Sequence, residues 1–294
     1  MTATTPRVRP HDLVEPEPSA SRGARRRSGA ARIGVSAVLV VGALCMLFPF
    51  AWMVLTAFQP DGSLGSAPSL RHLTGGNFGT LTSAMPFWRI LGNSLWISVV
   101  STAVQLATST LAGYAFARFH FRGRDALFMI YLATMMIPQQ VLLVPLFVEM
   151  KQLGLIDTYA GILLPGLASA FGTFLIRQAM LSVPRELEEA ALVDGAGHLR
   201  ILWTVVLPLV RPALATFTVF GFMASWNNFL WPLVVTRSPE LYTLPLGLSA
   251  LQGQFTTHWN VVMAGSVVSV IPMLLIYLVA QKHVVRSIAT TGLK

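Results

Sequence analysis

The segment Pro184-Arg-Glu-Leu-Glu-Glu-Ala-Ala-Leu-Val-Asp-Gly-Ala-Gly-His198 concentrates charge in a chain that otherwise avoids it. Four of the 12 acidic residues lie between Glu186 and Asp194. Elsewhere apolar side chains dominate: 54% of the 294 residues are hydrophobic and 11% are charged, against about 25% charged in a typical soluble domain. This composition is typical of an integral membrane protein, in which a group of carboxylates has to lie outside the bilayer.

The net charge of +9 raises the question of a nucleic-acid partner. The positive residues do not form an aromatic-interleaved soluble face, so we interpret them as determinants of orientation in a membrane and exclude nucleic acid as a partner. The single cysteine, Cys45, lies in an apolar run. Disulfides within the chain and a cysteine-rich metal site are therefore excluded.

Apolar runs long enough to cross a bilayer, about 20 residues each, follow a basic N-terminal segment. Residues 1–32 contain seven arginines with Pro, Ser and Ala, which predicts a disordered cytoplasmic tail before an uncleaved first span. Irregular backbone is costly in lipid, so the fold class is all-α with six transmembrane helices, kinked at Pro138, Pro145 and Pro232. The predicted spans are 33–58, 90–117, 126–148, 158–176, 201–236 (entering the membrane only after Pro212) and 261–281.

The distribution of Lys and Arg predicts the orientation of these spans. If the N-terminus is inside, 17 of the 21 basic residues fall on the inner side and four on the outer side. Both termini, and the acidic segment, are therefore expected in the cytoplasm.

The acidic segment itself has the pattern of a short helix. Ser182 is a candidate N-cap and Pro184 suits a first turn. Asp194 and Gly195 should end the helix. Leu187, Ala190, Ala191 and Asp194 would share one face, where small side chains allow another protein to approach closely, while Glu188 and Glu189 would offer charge-assisted contacts at its edge. By composition alone, a solvated connector is the more favoured interpretation.

A longer pattern favours a docking role. Glu-Ala-Ala and Asp-Gly-Ala are followed by Val206-Leu207-Pro208 and by Pro212. Residues 183–212 resemble the coupling motif of permease subunits of binding-protein-dependent ABC importers, in particular the maltose-type second permease of carbohydrate importers. The resemblance covers residue 33 to the end and includes Ile137-Pro-Gln-Gln-Val-Leu-Leu-Val-Pro-Leu-Phe147, Gly154-Leu-Ile-Asp-Thr-Tyr159, Ser225-Trp-Asn-Asn-Phe-Leu-Trp-Pro-Leu233 and residues 281–294.

The resemblance implies a type I permease fold and a set of partners: a homologous permease in a heterodimer, an ABC ATPase dimer carrying ATP and Mg, an extracytoplasmic solute-binding protein, a sugar and the lipid of the cytoplasmic membrane. It also implies a tail contact with the ATPase, here at Thr290, Thr291 and Gly292, in a tail that is shorter than in some relatives. The residues implied to couple to the ATPase are Glu189, Ala190, Ala191, Asp194, Gly195, Leu207 and Pro208.

The energy source lies outside this chain, according to two patterns. None of Lys151, Lys282 and Lys294 belongs to a phosphate-binding Gly-x-x-x-x-Gly-Lys loop. No predicted span centre carries Asp, Glu, Lys or His, which disfavours an ion-coupled carrier, although carbonyl groups alone can hold sodium. We therefore expect a transport subunit without enzymatic activity or a bound cofactor or metal, and leave open a permease for glycerol-3-phosphate or another small solute.

Substrate residues are less clearly marked. Trp226, Asn227, Asn228 and Gln139 combine aromatic faces with amides, as sugar sites do. An interfacial aromatic belt with amides that bond between helices is the more favoured explanation of the same residues. The near absence of charge in the spans favours a neutral sugar, of di- or oligosaccharide size, over a phosphate ester.

Overall fold

The structure, a computed structural model, describes residues 22–60, 72–252 and 258–291, with side chains from residue 34 to 279 outside those gaps and at Gln281. Within these residues the regular structure is helical, which confirms the predicted class. The helices are α1 (Arg22–Ala57), α2 (Gly76–Ala84), α3 (Phe87–Arg118), α4 (Arg124–Ala133), α5 (Gln139–Gln152), α6 (Tyr159–Leu163), α7 (Ala170–Leu181), α8 (Glu186–Val193), α9 (His198–Ile201), α10 (Leu207–Leu209), α11 (Arg211–Trp226), α12 (Leu230–Val235), α13 (Leu244–Ala250) and α14 (Trp259–Thr291).

Three straight helical segments in the described residues are long and apolar enough to cross a membrane: Gly34–Ala57, Phe87–Arg118 and Trp259–Val279. Three further candidates are bent pairs. Their halves meet at 98° between α4 and α5, at 45° between the α6 segment and α7, and at 83° between His198–Leu209 and Arg211–Val235. Counting each pair as one span gives the six that the sequence predicts.

Prolines stand at two of the three breaks. Pro138 is the N-cap of α5, and Pro212 lies in the first turn of α11, so each stands at a bend, because proline cannot donate to the carbonyl of the preceding turn. Pro145 and Pro232 lie inside α5 and α12 rather than at breaks. The break before α12 falls at residues 227–229, immediately around the Asn228 carbonyl with which the Pro232 ring would collide in a continuous helix.

The first helix begins earlier than the sequence predicts. The tail was expected to reach residue 32, yet α1 begins at Arg22. Ala and Arg are good helix formers, so the helix extends beyond its apolar part. Residues 1–21 lie outside the described part of the chain. The chain divides into two units between Trp52 and Met53, and the features below lie wholly in the second.

Helix α3 is the central element of this second unit, and it packs along α7 and α11. Glycines allow these helices to approach closely. A methyl group on Gly113 would lie 3.2 Å from the backbone nitrogen of Arg177, and one on Gly172 would lie 2.5 Å from the Phe217 ring. Near the C-terminal end of α3, Tyr114 and Ala117 belong to a buried cluster that also receives residues of α7, α9 and the turn that follows α9. This cluster supports α8.

Candidate functional site

Helix α8 is the predicted docking helix, and its boundaries differ slightly from the prediction. Its N-cap is Arg185, with no side-chain cap hydrogen bond. Ser182 instead caps the C-terminus of α7 and donates to the Ala179 carbonyl at 2.7 Å, and Pro184 precedes the N-cap. The prediction that Ser182 is the N-cap of α8 was wrong, because α7 continues to Leu181 and Ser182 is its C-cap. Gly195 ends the helix as expected, with φ of +79°, a conformation that favours glycine.

The two faces of α8 differ in exposure. Ala190 and Glu189 are exposed, and Val193 has 88% of its surface accessible. Ala191 is half-buried against the cluster beneath, so the predicted common face of Leu187, Ala190, Ala191 and Asp194 is divided, with only Ala191 turned inward. The outward surface therefore consists of the carboxylates of Glu186, Glu189 and Asp194, a small residue and apolar side chains.

Glu188 does not belong to the outward surface, contrary to the prediction that it contacts a partner. It is buried, and its Oε1 lies 2.5 Å from Nε of Arg118 at the end of α3. The two side chains are 10% and 6% exposed. Arg118 also donates from Nη2 to the carbonyls of Met180 (2.8 Å) and Val183 (2.9 Å), which close the end of α7.

Tyr114 completes this group, one helical turn before Arg118. Its hydroxyl donates to Oε2 of Glu188 at 3.5 Å, a long hydrogen bond. Arg118, Glu188 and Tyr114 thus join α3, the end of α7 and α8 in a polar cluster within an apolar surrounding. Sequence reasoning missed this cluster because Arg118 and Glu188 are 70 positions apart, and nothing in either segment identifies the other.

Leu207 and Pro208 form the short helix α10 after a π-helical turn at Leu202–Val206. The Leu207 amide donates to the Leu202 carbonyl. Pro208 cannot bond to the carbonyl of Thr204, which favours such a widened turn. Leu207 packs against the buried cluster under α8, so this segment contributes to its support.

A cavity of about 550 Å³ lies beside the middle of α3, between α3, α5 and the α11–α12 break. Of the candidate substrate residues, Gln139, Asn227 and Asn228 line it. Structure adds Gln105, whose Nε2 donates to the Gly166 carbonyl (2.6 Å) and to Oγ of Ser101 (3.1 Å). Gln105 and Ser101 were detectable only as polar residues inside an apolar run.

Trp226, predicted as a candidate substrate residue, does not line the cavity. It is 1% exposed, stacks on Phe222 with centroids 5.5 Å apart, and donates from Nε1 to the Ser269 carbonyl at 3.2 Å. These contacts make it part of the core, held by an inter-helical hydrogen bond. Trp231, by contrast, does line the cavity, and its Nε1 donates to the Gly161 carbonyl at 3.0 Å.

At the N-terminal end of α3, Asn93 makes contacts of a related kind. Its Nδ2 donates to the carbonyls of Glu240 (2.7 Å) and Tyr242 (3.1 Å), and its Oδ1 accepts from the Tyr159 hydroxyl (2.8 Å). Next to it, Oγ of Ser94 accepts from the Leu244 amide. These bonds fix the segment before α13, which places Thr243 at the cavity.

Asp157 secures the same end from a left-handed turn, with φ of 59°. Its carboxylate accepts from the Ser238 hydroxyl and from the amides of Ser238 (2.9 Å) and Arg237 (2.8 Å). The hydroxyl bond first, and then the two amide bonds, lower the pKa of Asp157 below its ordinary value.

The predicted tail contact with the ATPase lies where the structure describes no side chains. Thr290 and Thr291 end α14, where only the backbone is described, and Gly292 lies outside the described residues. Among the described residues, no group of three His, Cys, Asp or Glu side chains is arranged to hold a metal ion.

A helical fold with up to six candidate spans, the exposed helix α8 and a cavity without charged lining residues fits a membrane transport subunit. The chain belongs to the family described as binding-protein-dependent transport system inner membrane component, whose model matches residues 106–290. That match includes α8, α9, α10 and the cavity-lining residues from Gln139 onward, while the α3 residues Ile97, Ser101 and Gln105 precede it.

Curated relatives support the same assignment. The chain is 36% identical over 260 residues to the arabinooligosaccharides transport system permease protein AraQ of Halalkalibacterium halodurans, covering 86% of this chain and 92% of the relative. It is 35% identical to the lactose transport system permease protein LacG of Rhizobium radiobacter, covering 85% and 92%. It is 33% identical to the sn-glycerol-3-phosphate transport system permease protein UgpE of Yersinia pestis, covering 85% and 93%.

A solved structure has the same fold. A chain from a bacterial ABC transporter involved in the import of the acidic polysaccharide alginate matches with a TM-score of 0.79 and 28% identity, covering 91% of this chain and all of the other. The chain is therefore an ABC importer permease subunit, as the sequence predicted.

Proposed function

We propose that this permease moves a neutral sugar of di- or oligosaccharide size across the cytoplasmic membrane by alternating access. The observation that carries the proposal is the cavity beside α3. Its polar lining consists of amides and hydroxyls, and none of the described residues that line it is charged. Amides and hydroxyls exchange hydrogen bonds with sugar hydroxyls, whereas a phosphate ester calls for Arg, Lys or a helix N-terminus.

The names of the relatives include both kinds of solute, sugars and a phosphate ester. AraQ and LacG are named for an oligosaccharide and a disaccharide, and support the sugar; UgpE, named for glycerol-3-phosphate, supports the alternative solute. The uncharged cavity favours the first. An ion-coupled carrier working alone is the alternative from another class.

The proposed assembly contains a similar but distinct permease, two copies of an ATPase that binds ATP and Mg, and an external solute-binding protein. Helix α8 would dock on the ATPase through the exposed Glu189 and Ala190, with Ala191 and Gly195 setting its position. The excess of Lys and Arg on one set of loops supports cytoplasmic termini. The chain itself would catalyse no reaction.

Transport in vesicles tests the solute. We would reconstitute the complete transporter and compare uptake of radiolabelled lactose, arabinotriose and glycerol-3-phosphate with ATP inside. Sugar uptake that requires ATP is the expected result. Uptake of glycerol-3-phosphate alone would overturn the sugar proposal, and uptake driven by an ion gradient without the ATPase would overturn the ABC mechanism.

Two substitutions on α5 separate the cavity from general damage. Gln139 and Gln152 begin and end the same helix, but only Gln139 lines the cavity. Gln139→Ala should raise the KM for the transported sugar, while Gln152→Ala should leave it unchanged. Equal effects would remove the cavity from the substrate path.

Charge reversal tests docking. Glu189→Lys should leave the subunit in the membrane, weaken co-purification of the ATPase and abolish transport, because an exposed acidic contact becomes repulsive. The control is Glu149→Lys, an exposed charge reversal near the end of α5, far along the chain from α8. Normal co-purification of the Glu189→Lys variant would contradict the docking role.

A further inference from the structure

The Arg118–Glu188 ion pair has a position that the docking proposal does not use. It is buried between α3, the end of α7 and α8 itself, and it lines a small pocket whose rim includes the exposed Glu189. Neither side chain is accessible enough to contact a partner. Its effect on transport therefore has to act through the placement of α8 on the rest of the chain.

Besides the packing of Ala191 on the buried cluster, three routes connect α8 to the rest of the subunit. Two are covalent, through residues 182–185 to α7 and through residues 194–197 to α9. Both lead into interrupted segments: α7 meets the preceding helical segment at 45°, and His198–Leu209 meets Arg211–Val235 at 83° after a π-helical turn. A displacement of α8 along either route reaches a bend, and on the first route it reaches α3 only through the side-by-side packing of α7 on that helix.

The third route is the ion pair, and it leads to α3. This helix runs without interruption from Phe87 to Arg118, roughly 48 Å at 1.5 Å per residue. Three of its residues, Ile97, Ser101 and Gln105, line the cavity. Gln105 lies roughly 20 Å along the helix from Arg118 and donates to the carbonyl of Gly166, which also lines the cavity.

The ion pair is also suited to transmit a displacement from one helix to the other. Its charges are enclosed in an apolar cluster, where separated ions are strongly disfavoured. Arg118 has further bonds to two carbonyls, and Glu188 to Tyr114, so both side chains are fixed in orientation. Separating the two charges would therefore cost free energy, which favours their joint movement.

We propose that Arg118 and Glu188 are positioning residues that transmit the displacement of α8 to α3, so that α3 moves the cavity wall with the docking helix. The inference rests on the proposed docking of α8 on an ATPase. Tyr114 and the carbonyls of Met180 and Val183 hold the pair in place.

Distance measurements on the complete transporter test this inference without a transported solute. Spin labels would be placed at Val193→Cys on α8 and Leu111→Cys on α3, both exposed, in a Cys45→Ser background. We expect the same α8–α3 distance with and without vanadate-trapped nucleotide. A nucleotide-dependent distance in the parent would overturn the proposal, because α8 would then move independently of α3.

Breaking the pair should uncouple the two helices. In Glu188→Gln the distance should broaden and shift with nucleotide by more than about 2 Å, the scale of helix shifts at interfaces. The matched control is Glu186→Gln, an exposed acidic residue of the same helix, which should behave as the parent. A Glu188→Gln distance that stays fixed would overturn the proposal.

Two double variants separate coupling from folding. Arg118→Met with Glu188→Met removes both buried charges and should fold, yet should show the nucleotide-dependent shift. Arg118→Glu with Glu188→Arg restores an ion pair and should recover at least part of the fixed distance. A fixed distance in the first variant would assign the coupling to packing alone and overturn the role of the ion pair.

Failure of docking is recognised separately. If Glu189→Lys co-purifies with the ATPase as the parent does, the docking proposal fails. The loss of a fixed distance in nucleotide-free Glu188→Gln would still report the link between α8 and α3.

Discussion

The two ends of α3 hold neighbouring segments in a similar way but with different chemistry. At the C-terminal end, Arg118 donates to the carbonyls of residues 180 and 183; at the N-terminal end, Asn93 donates to those of residues 240 and 242. Each side chain therefore binds a segment through two main-chain oxygens. Each also has a third partner, which is the Glu188 carboxylate at one end and the Tyr159 hydroxyl at the other.

The difference lies in how much each end depends on one residue. The Arg118 end relies on a buried charge, so loss of either partner leaves the other ion unpaired in an apolar cluster. The Asn93 end spreads its contacts over neutral groups, with Ser94 and Asp157 holding adjacent parts of the same segment. We infer that the end next to α8 depends mainly on one charged side chain, Arg118, and the other end on several neutral ones.

The largest expected effect is at Arg118. Arg118→Met should lower the free energy of unfolding by about 3–5 kcal/mol, because Glu188 would be left buried without a counter-charge. Unfolding by SDS titration of the purified subunit measures this. Arg122→Met, an exposed residue four positions on, should have little effect, and the double Met variant of Arg118 and Glu188 should recover most of the loss. A loss below about 1 kcal/mol would contradict the buried-charge interpretation.

Asn93→Leu tests the opposite end and should cost less. It removes three hydrogen bonds and leaves two carbonyls and the Tyr159 hydroxyl without that partner, for a loss of about 1–3 kcal/mol in the same titration. A loss equal to that of Arg118→Met would show that the neutral end is no more distributed than the charged one.

Asp157→Asn should have a smaller effect that depends on pH. The folded-state pKa is lowered, so the stabilisation is present above the ordinary value of 3.8 and is lost as the pH falls through the folded-state value. Since the group is only half-buried and solvent screens its charge, we expect a loss of at most about 1 kcal/mol at neutral pH. Thermal midpoints of parent and variant should converge at acidic pH, and a gap that widens on acidification would reverse the assigned sign.

Tyr114→Phe should have the smallest effect. The hydroxyl lies 3.5 Å from Glu188 while the ring belongs to the buried cluster, so removing the oxygen keeps the packing and should cost about 0.5 kcal/mol. Tyr114→Ala, which removes the ring as well, is the comparison and should cost several times more. A Phe variant as unstable as the Ala variant would make the hydroxyl a principal partner of Glu188.

The sequence predicted much of the fold because its signals are local. Apolar runs give the spans, Pro138 and Pro212 mark two of the bends, and Gly195 ends α8. The substrate residues were harder. Asn227 and Trp226 are adjacent and equally suited to a sugar, but the end of α11 turns one toward the cavity and the other into the core.

The sequence by itself determined the class of protein, the number of candidate spans and the position of the short acidic helix α8, since composition, run length and turn residues are read without knowing any distant contact. Only the tertiary structure decided which carboxylate of that helix faces outward. Glu188 and Glu189 are chemically identical, but one step along a helix turns a side chain by about 100°. That rotation places Glu188 on Arg118, 70 positions away, and leaves Glu189 exposed.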